Sequence, residues 1–337
     1  MAKVLLYSAS LDERARDEWD LGAYRKFRES ALNDLFGVHS LTDDPAAADI
    51  IVFIEVGGSG LFAELVRHHP YVKKYREKCF LVDPNDCALP FLPGLYASLR
   101  RKYHDPTRTR TGSYLRTDEN PYIEFRPLAK EPKYVGCFIG SFENHPMRAA
   151  LANLPSEDFL IEGRPKGLTL QMHYGGVGPE RHEFWSHYAD GMAAGAFSLC
   201  PRGLGPGSIR LFESMRMGRC PVILSDDWVF PERVDWAACS LTVAEKDVSR
   251  LGEILHANLG RAGELGMRAR QEWERFYAEN VRFHWLAEDC LYLLRARRVR
   301  EAIAGRKAWL HLFDKGYFRR YLRSKKQVYK QYGRIIL

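Results

Sequence analysis

Residues 200–228 read CPRGLGPGSIRLFESMRMGRCPVILSDDW. Two short apolar runs, at 197–200 and 221–224, flank a glycine-rich turn and a stretch of helical periodicity at 207–217. Strand, tight turn, helix, strand is the repeating unit of a parallel α/β sheet. The turn is also chemically loaded. Gly203, Gly205 and Gly207 predict close approach of the backbone to a ligand and positive φ. Ser208 and the first N–H groups of the helix predict an anion site. Arg202 and Arg210 add bidentate donors suited to phosphate. Glu213 follows Arg210 by three residues, so the two share nearly one helix face, and a carboxylate accepts from a pair of sugar hydroxyls. The second strand runs out into Ser225, Asp226 and Asp227. Together these groups describe a pocket for a nucleotide sugar; the plain alternative is a capped helix with surface arginines.

The same alternation extends in both directions. Residues 4–7, 50–54 and 79–82 read as strands, and the β-branched run at 50–54 is that of a parallel strand buried on both faces. The second of these ends in Glu55 and a glycine-rich loop at 57–60; the third runs into Asp83 and Asp86. Ligands of doubly wound sheets sit at such carboxyl ends. Residues 101–133, rich in Arg, Thr and Pro, read as an irregular connection, and 135–139 opens a second series. Residues 267–294 carry Trp273, Phe276, Val281 and Trp285 in a helical stripe that predicts one long core-facing helix. The expected division is 1–130, an acceptor-side domain; 131–265, a nucleotide-sugar domain; and 266–337, helices and a basic aromatic tail.

The chain has 337 residues, ordinary globular composition and a net charge of +7. That charge is concentrated: residues 295–337 carry +12 and the remainder −5. A net negative body argues against nucleic acid as the partner. Seven scattered cysteines without a C-x-x-C pair argue against a thiolate zinc site and, with no leader-like start, for a cytoplasmic setting. No apolar run is long enough to span a membrane. His182 and His187 stand five apart, which turns the second roughly 140° from the first at 3.6 residues per turn, so they do not form a zinc pair. There is no G-K-[ST] for a P-loop, and the adjacent acid pairs at 43–44 and 226–227 are not the spaced pair that holds a divalent ion. The expectation is no metal and no cofactor apart from the donor substrate.

The 200–231 segment closely resembles the exostosin family of glycosyltransferases. The resemblance rests on Cys200-Pro201-Arg202-Gly203, on Ser208, Arg210, Glu213 and Ser214, and on Gly218, Cys220, Pro221, Ser225, Asp226, Asp227 and Pro231. A weaker match is Phe138, Ile139, Gly140 and Ser141 followed by Arg148. The resemblance implies an α/β fold of GT-B type, two Rossmann-like domains facing a cleft, here with a C-terminal helical basic tail. It implies inversion at the anomeric carbon and a UDP-sugar as the usual donor, held by Gly140, Arg148, Arg202, Gly203, Gly207, Ser208, Arg210, Glu213 and Asp226. Ser214 stands where the family has Ala, a small-for-small change. The stem and membrane anchor of animal and plant members have no counterpart here, which implies a compact bacterial or viral type of member.

Inversion without a covalent intermediate needs a base for the acceptor hydroxyl and positive charge on the departing diphosphate. Arg210 serves the second role, with Arg202 and Arg148. Glu55 and Asp86 are the candidate bases, with Asp83, Glu143 and His145 behind them. Two other readings stay open: a catalytically silent glycan-binding or scaffold subunit, and an enzyme using a GDP-sugar. The acceptor is expected to be an oligosaccharide or lipid-linked saccharide of a cell-surface glycan, lipopolysaccharide or capsule. The tail either meets an anionic membrane, making the protein peripheral on the inner face, or packs back on the first domain with its charges solvated; the two can coexist.

Overall fold

The computed structural model describes residues 1–12, 18–55, 64–86, 88–114, 120–168 and 178–333. The chain forms two compact units. The first comprises Met1–Leu115, Val229–Glu232 and Phe276–Leu337; the second comprises Arg116–Trp228 and Arg233–Arg275. Each is a parallel α/β unit. Five helices carry the argument: α1 (Glu18–Leu32), α2 (Pro179–Ala194), α3 (Ile209–Met217), α4 (Arg282–Ala296) and α5 (Lys315–Tyr332).

The first unit's sheet contains β1 (Lys3–Tyr7), β2 (Ser40–Leu41), β3 (Ile50–Ile54), β4 (Cys79–Asp83), β5 (Gly94–Tyr96) and β6 (Thr109–Arg110). Its order is β2-β1-β3-β4-β5-β6, with every pairing parallel. Side chains of β3 alternate between two cores, as the period of two requires. Ile51 and Phe53 join Leu81, Phe91 and Tyr96 on one face. Ile50, Val52 and Ile54 join Phe283, Leu286, Cys290 and Leu293 of α4 on the other. A helix-spaced stripe therefore covers a fully apolar strand.

The second unit's sheet contains β7 (Tyr134–Gly140), β8 (Phe159–Gly163), β9 (Gly195–Pro201), β10 (Cys220–Leu224) and β11 (Leu241–Thr242). Its order is β11-β10-β9-β7-β8, again all parallel. In both sheets the strand order reverses beside the first strand, between β1 and β3 in one and between β7 and β9 in the other. Ligands of open α/β sheets bind at the carboxyl ends of strands at such a reversal.

Three expectations are modified. The stripe at 267–294 is two helices, Ala262–Phe276 and α4. They part where the chain passes from the second unit to the first, and the Asn280 carbonyl accepts from Leu35 N at 3.0 Å. Residues 101–133 are not wholly irregular, since Thr109–Arg110 adds an edge strand. The segment expected to stand apart at 266–337 belongs largely to the first unit. There α5 buries Tyr317, Ser324 and Val328 and half-buries Tyr321, at helical spacing. Lys325 Nζ meets the buried Glu64 Oε2 at 2.9 Å. Arg108 pairs with the buried Glu301, and Arg297 with Glu77. Part of the tail's charge is thus fixed in ion pairs. No described helix is long and apolar enough to cross a membrane.

Candidate active site

The second unit's reversal lies between Gly140, at the end of β7, and Pro201, at the end of β9. Helix α3 begins beside it. Its sequence explains both ends: Ser208 takes the extended N-cap backbone, and Gly218 closes the helix in the left-handed region at φ 80°, where a Cβ would be strained. The Ser208 hydroxyl makes no capping hydrogen bond to the helix, so the partial positive charge of the first turn is not answered by its own cap.

Arg210 lies in the first turn of α3 and is buried. It donates from Nη2 to the Ile139 carbonyl of β7. Its guanidinium lies 4.4 Å from the Phe138 ring centroid and 5.5 Å from that of Tyr188 on α2. A Cβ at Gly140 would come within 2.9 Å of Nη2, so glycine is what lets the guanidinium cross the strand end. Glu213, one turn on, accepts from the Tyr188 hydroxyl at 2.6 Å. Burial opposes the charge on Arg210, yet Tyr188, Cys200 and Glu213 outweigh it and hold its pKa up. Tyr188 is pushed well above its ordinary value by burial, with Glu213 adding to the effect. The result is a fixed cation and a fixed carboxylate side by side at a strand end.

Arg148 is used differently. Its Nε donates to Arg202 O at 2.8 Å, and its terminal nitrogens donate to Ser141 O and Pro201 O at 3.3 and 3.2 Å. It holds the Cys200–Gly203 turn against β7. Gly203 packs on it, since a Cβ there would lie 3.0 Å from Nη2. Positive φ was expected at Gly203, Gly205 and Gly207, but the described positive-φ glycines are Gly37, Gly94, Gly218 and Gly333. Close approach, not an unusual backbone, is what the turn asks of Gly203. Gly207 is buried beside Ser208 at the helix entry. Arg202 pairs with Glu245 at 3.4 Å. Glu245 Oε1 also accepts from Asp226 N, and Asp226 Oδ1 from Glu245 N, each at 3.1 Å. Asp226 therefore ties the end of β10 to the loop after β11. His145 caps the helix after Phe142–Asn144, accepting from Met147 N at Nδ1, while Glu143 accepts from Lys166 N. Burial and the neighbouring Arg202 and Arg148 lower the His145 pKa and favour its neutral form.

The candidate bases of the first unit differ among themselves. Glu55 is buried at the reversal between β1 and β3, accepting from Ala9 N at 2.7 Å and Ser8 Oγ at 3.2 Å. It fastens the two strand ends together. Asp83, the last residue of β4, is buried; Oδ1 accepts from Asn85 N and Nδ2, and Oδ2 has no hydrogen-bond partner among the described residues. Burial pushes its pKa up to about 7. Asp86 is half-buried and accepts from the Tyr114 hydroxyl at 3.2 Å. The glycine-rich loop at 57–60 and Cys87 lie outside the described residues.

Sequence reasoning missed Tyr188 and Glu245 as partners of the site. Each reaches it from another element, and its own neighbourhood carries no motif; Phe138 fell within the weaker match, but not as the ring beneath Arg210. It read Ser214 only as a small-for-small change and did not foresee partners for its hydroxyl. That hydroxyl pairs with Ser198 Oγ on β9 at 2.7 Å and with Arg210 O at 2.6 Å, so a second serine makes the extra hydroxyl tolerable in a buried place.

Comparison with known proteins falls on this unit. Residues 141–257 match the Exostosin GT47 domain. The probable glucuronoxylan glucuronosyltransferase IRX7 of Arabidopsis thaliana is 49% identical over 134 residues, 38% of this chain and 28% of that protein. The exostosin-1 homolog of Caenorhabditis elegans is 34% identical over 100 residues, 29% of this chain and 26% of that protein. The probable beta-1,4-xylosyltransferase IRX10 of Arabidopsis thaliana is 43% identical over 70 residues, 20% of this chain and 17% of that protein. The chain thus covers less than a third of the length of these relatives. The matched residues hold Arg148, Arg202, Ser208, Arg210, Glu213 and Asp226, and with them the carboxyl ends of β9 and β10. Residues 141–257, which make up most of the second unit, are thus what this chain has in common with the Exostosin GT47 domain.

Proposed function

We propose that the chain is a metal-independent inverting glycosyltransferase of GT-B architecture. It takes a UDP-linked sugar as donor and a saccharide of a cell-surface glycan as acceptor. The observation that carries this reading is the placement of Arg210 and Glu213 on the first turns of α3, at the sheet reversal of the unit that matches the Exostosin GT47 domain. The relatives named as glucuronosyl- and xylosyltransferases support a sugar as the transferred group. In the reaction the acceptor oxygen attacks the anomeric carbon, the bond from that carbon to the diphosphate oxygen breaks, and the hydroxyl proton passes to a carboxylate. Arg210 and the start of α3 take up the charge that develops on the diphosphate. Glu213 accepts from the ribose diol. Arg148 positions the turn through three carbonyls, and Arg202 is set by Glu245. Asp86 is the better base of the first unit's pair, since Glu55 is buried and fastened between two strand ends.

We also propose that α5 meets an anionic membrane surface, which would make the protein peripheral on the cytoplasmic face. Charge complementarity and exposed apolar side chains beside the cations support this.

Thermal shift tests the donor reading. UDP at a hundred times its dissociation constant adds about 2.7 kcal/mol to stability and raises Tm. UDP and UDP-sugars should act where other nucleotides do not. A shift by GDP alone would move the donor to the guanine series, and no shift by either would remove the donor pocket from α3.

A further inference from the structure

We propose that His39, His284 and Glu288 form a structural zinc site in the first unit, independent of the transferase reading. Their ligand atoms all lie within 4.8 Å of one another. His284 and Glu288 are one helical turn apart on α4, so both project from one face. His39 comes from the segment between α1 and β2. Its backbone is fixed because the next residue, Ser40, opens β2 and bonds Ala2 O at 3.0 Å.

The second observation is energetic. The His39 side chain is 0% exposed, yet neither ring nitrogen has a hydrogen-bond partner among the described residues. Nε2 stands 3.0 Å from Glu288 Oε1, but not in hydrogen-bonding alignment. A buried polar group without a bond calls for an explanation, and a role as metal ligand supplies one. The His39 and His284 rings lie 5.2 Å apart at 39°, and Phe36 stacks on His284 at 3.9 Å and fixes its plane.

Two imidazoles and a carboxylate are a borderline donor set that suits zinc, with water as a fourth ligand. Metal–ligand bonds of about 2.0–2.1 Å put tetrahedral ligand atoms roughly 3.4 Å apart, so no separation in the cluster need close by more than about 1.4 Å on loading. The site lies at the amino edge of the sheet, since His39 precedes the first residue of β2. Glu55 and Asp83 end strands at the opposite edge. A metal here would clamp α4, which comes from the C-terminal part of the chain, to the start of the sheet.

The test uses the full chain, stripped by chelator and re-equilibrated with Zn(II). After gel filtration, atomic emission should find one zinc per chain, and Tm should rise by several degrees. Co(II) should give the visible d–d bands of a tetrahedral site. His39→Gln and Glu288→Gln should each weaken uptake at least a hundredfold and abolish the zinc-dependent rise in Tm. If His39→Gln does not fold, Glu288→Gln carries the test, because its side chain is already 31% exposed. No uptake by the parent chain, or equal uptake by both variants, would overturn the proposal and leave an ordinary histidine–glutamate contact.

Discussion

Arg210 and Asp83 are both buried ionisable groups at carboxyl ends of strands, and their surroundings drive them in opposite directions. Arg210 has neighbours that favour its charge; Asp83 has little besides Asn85. Substitution at the donor site should therefore read out in ligand affinity. Arg210→Ala and Glu213→Gln should each weaken UDP binding at least tenfold, because hydrogen bonds to charged groups contribute roughly 1.5–3 kcal/mol. Arg210→Ala should also lose some stability, since Ile139 O loses its donor. Gly140→Ala should weaken binding as well, by displacing the guanidinium. Calorimetric titration checks all three, and unchanged affinity would show that the pocket lies elsewhere. Asp83 makes a prediction about pH. Its native pKa of about 7 exceeds the ordinary value of 3.8. Between these values the native state keeps a proton that the unfolded state has released, so stability falls as pH rises through that window and levels off above it. The loss is on the order of 4 kcal/mol. Asp83→Asn should remove it, and its advantage over the parent in thermal unfolding should grow from pH 4 to pH 7. Parallel pH curves for the two proteins would refute this account.

At the scale of elements, α5 has two faces. Tyr317, Tyr321, Ser324 and Val328 point into the first unit. The other face carries Phe318, Leu322 and Tyr329, which are 46%, 51% and 53% exposed. Lys315, Arg319, Arg323, Lys326 and Lys330 flank them, also exposed and without an ion pair among the described residues. The helix contains no acidic residue. An apolar stripe edged by cations suits an interface with anionic headgroups. At about 1 kcal/mol per basic residue near the surface, reversing Arg319, Arg323 and Lys326 to Glu should weaken binding by at least about 3 kcal/mol, two orders of magnitude or more. The parent should sediment with anionic but not neutral liposomes, and salt should release it. Removing 306–337 would be a poor test, because Ala308, Tyr317 and Val328 are part of the first unit's core. Equal binding to neutral vesicles, or undiminished sedimentation of the charge-reversed chain, would end the membrane reading. The elements were unequally legible beforehand. Strands such as β3 and β10 announce themselves as continuous apolar runs, because both of their faces are covered. The short strand β5 and the edge strand β6 have three and two residues and no such run, so only their neighbours in the sheet define them. The stripe at 267–294 looked continuous because its apolar spacing carries on across the turn between Phe276 and Arg282.

At the scale of the whole molecule, two sheets of one strand order use their reversals differently. In the first unit Glu55 joins the strand ends; in the second Arg210 and the start of α3 place charge there. The glycine, serine, arginine and glutamate spacing at 203–213 was legible because one short element carries it. Tyr188 and Glu245 were not, because each comes to the site from another element. The histidine cluster was invisible for the same reason, with His39 and His284 separated by most of the chain. Chelation separates the two proposed chemistries. If basic side chains and a helix terminus carry the diphosphate, turnover per folded molecule should be unchanged in EDTA. If zinc clamps α4 to the first sheet, the same treatment should lower Tm, and Zn(II) should restore it. Initial rates at a temperature well below the transition, set beside thermal unfolding with and without chelator, give both answers from one preparation. Activity lost in EDTA while the fold stays intact, and restored by manganese, would put a divalent ion at the diphosphate and displace Arg210 from its role. A Tm indifferent to EDTA and zinc would leave the transferase reading standing and remove the clamp.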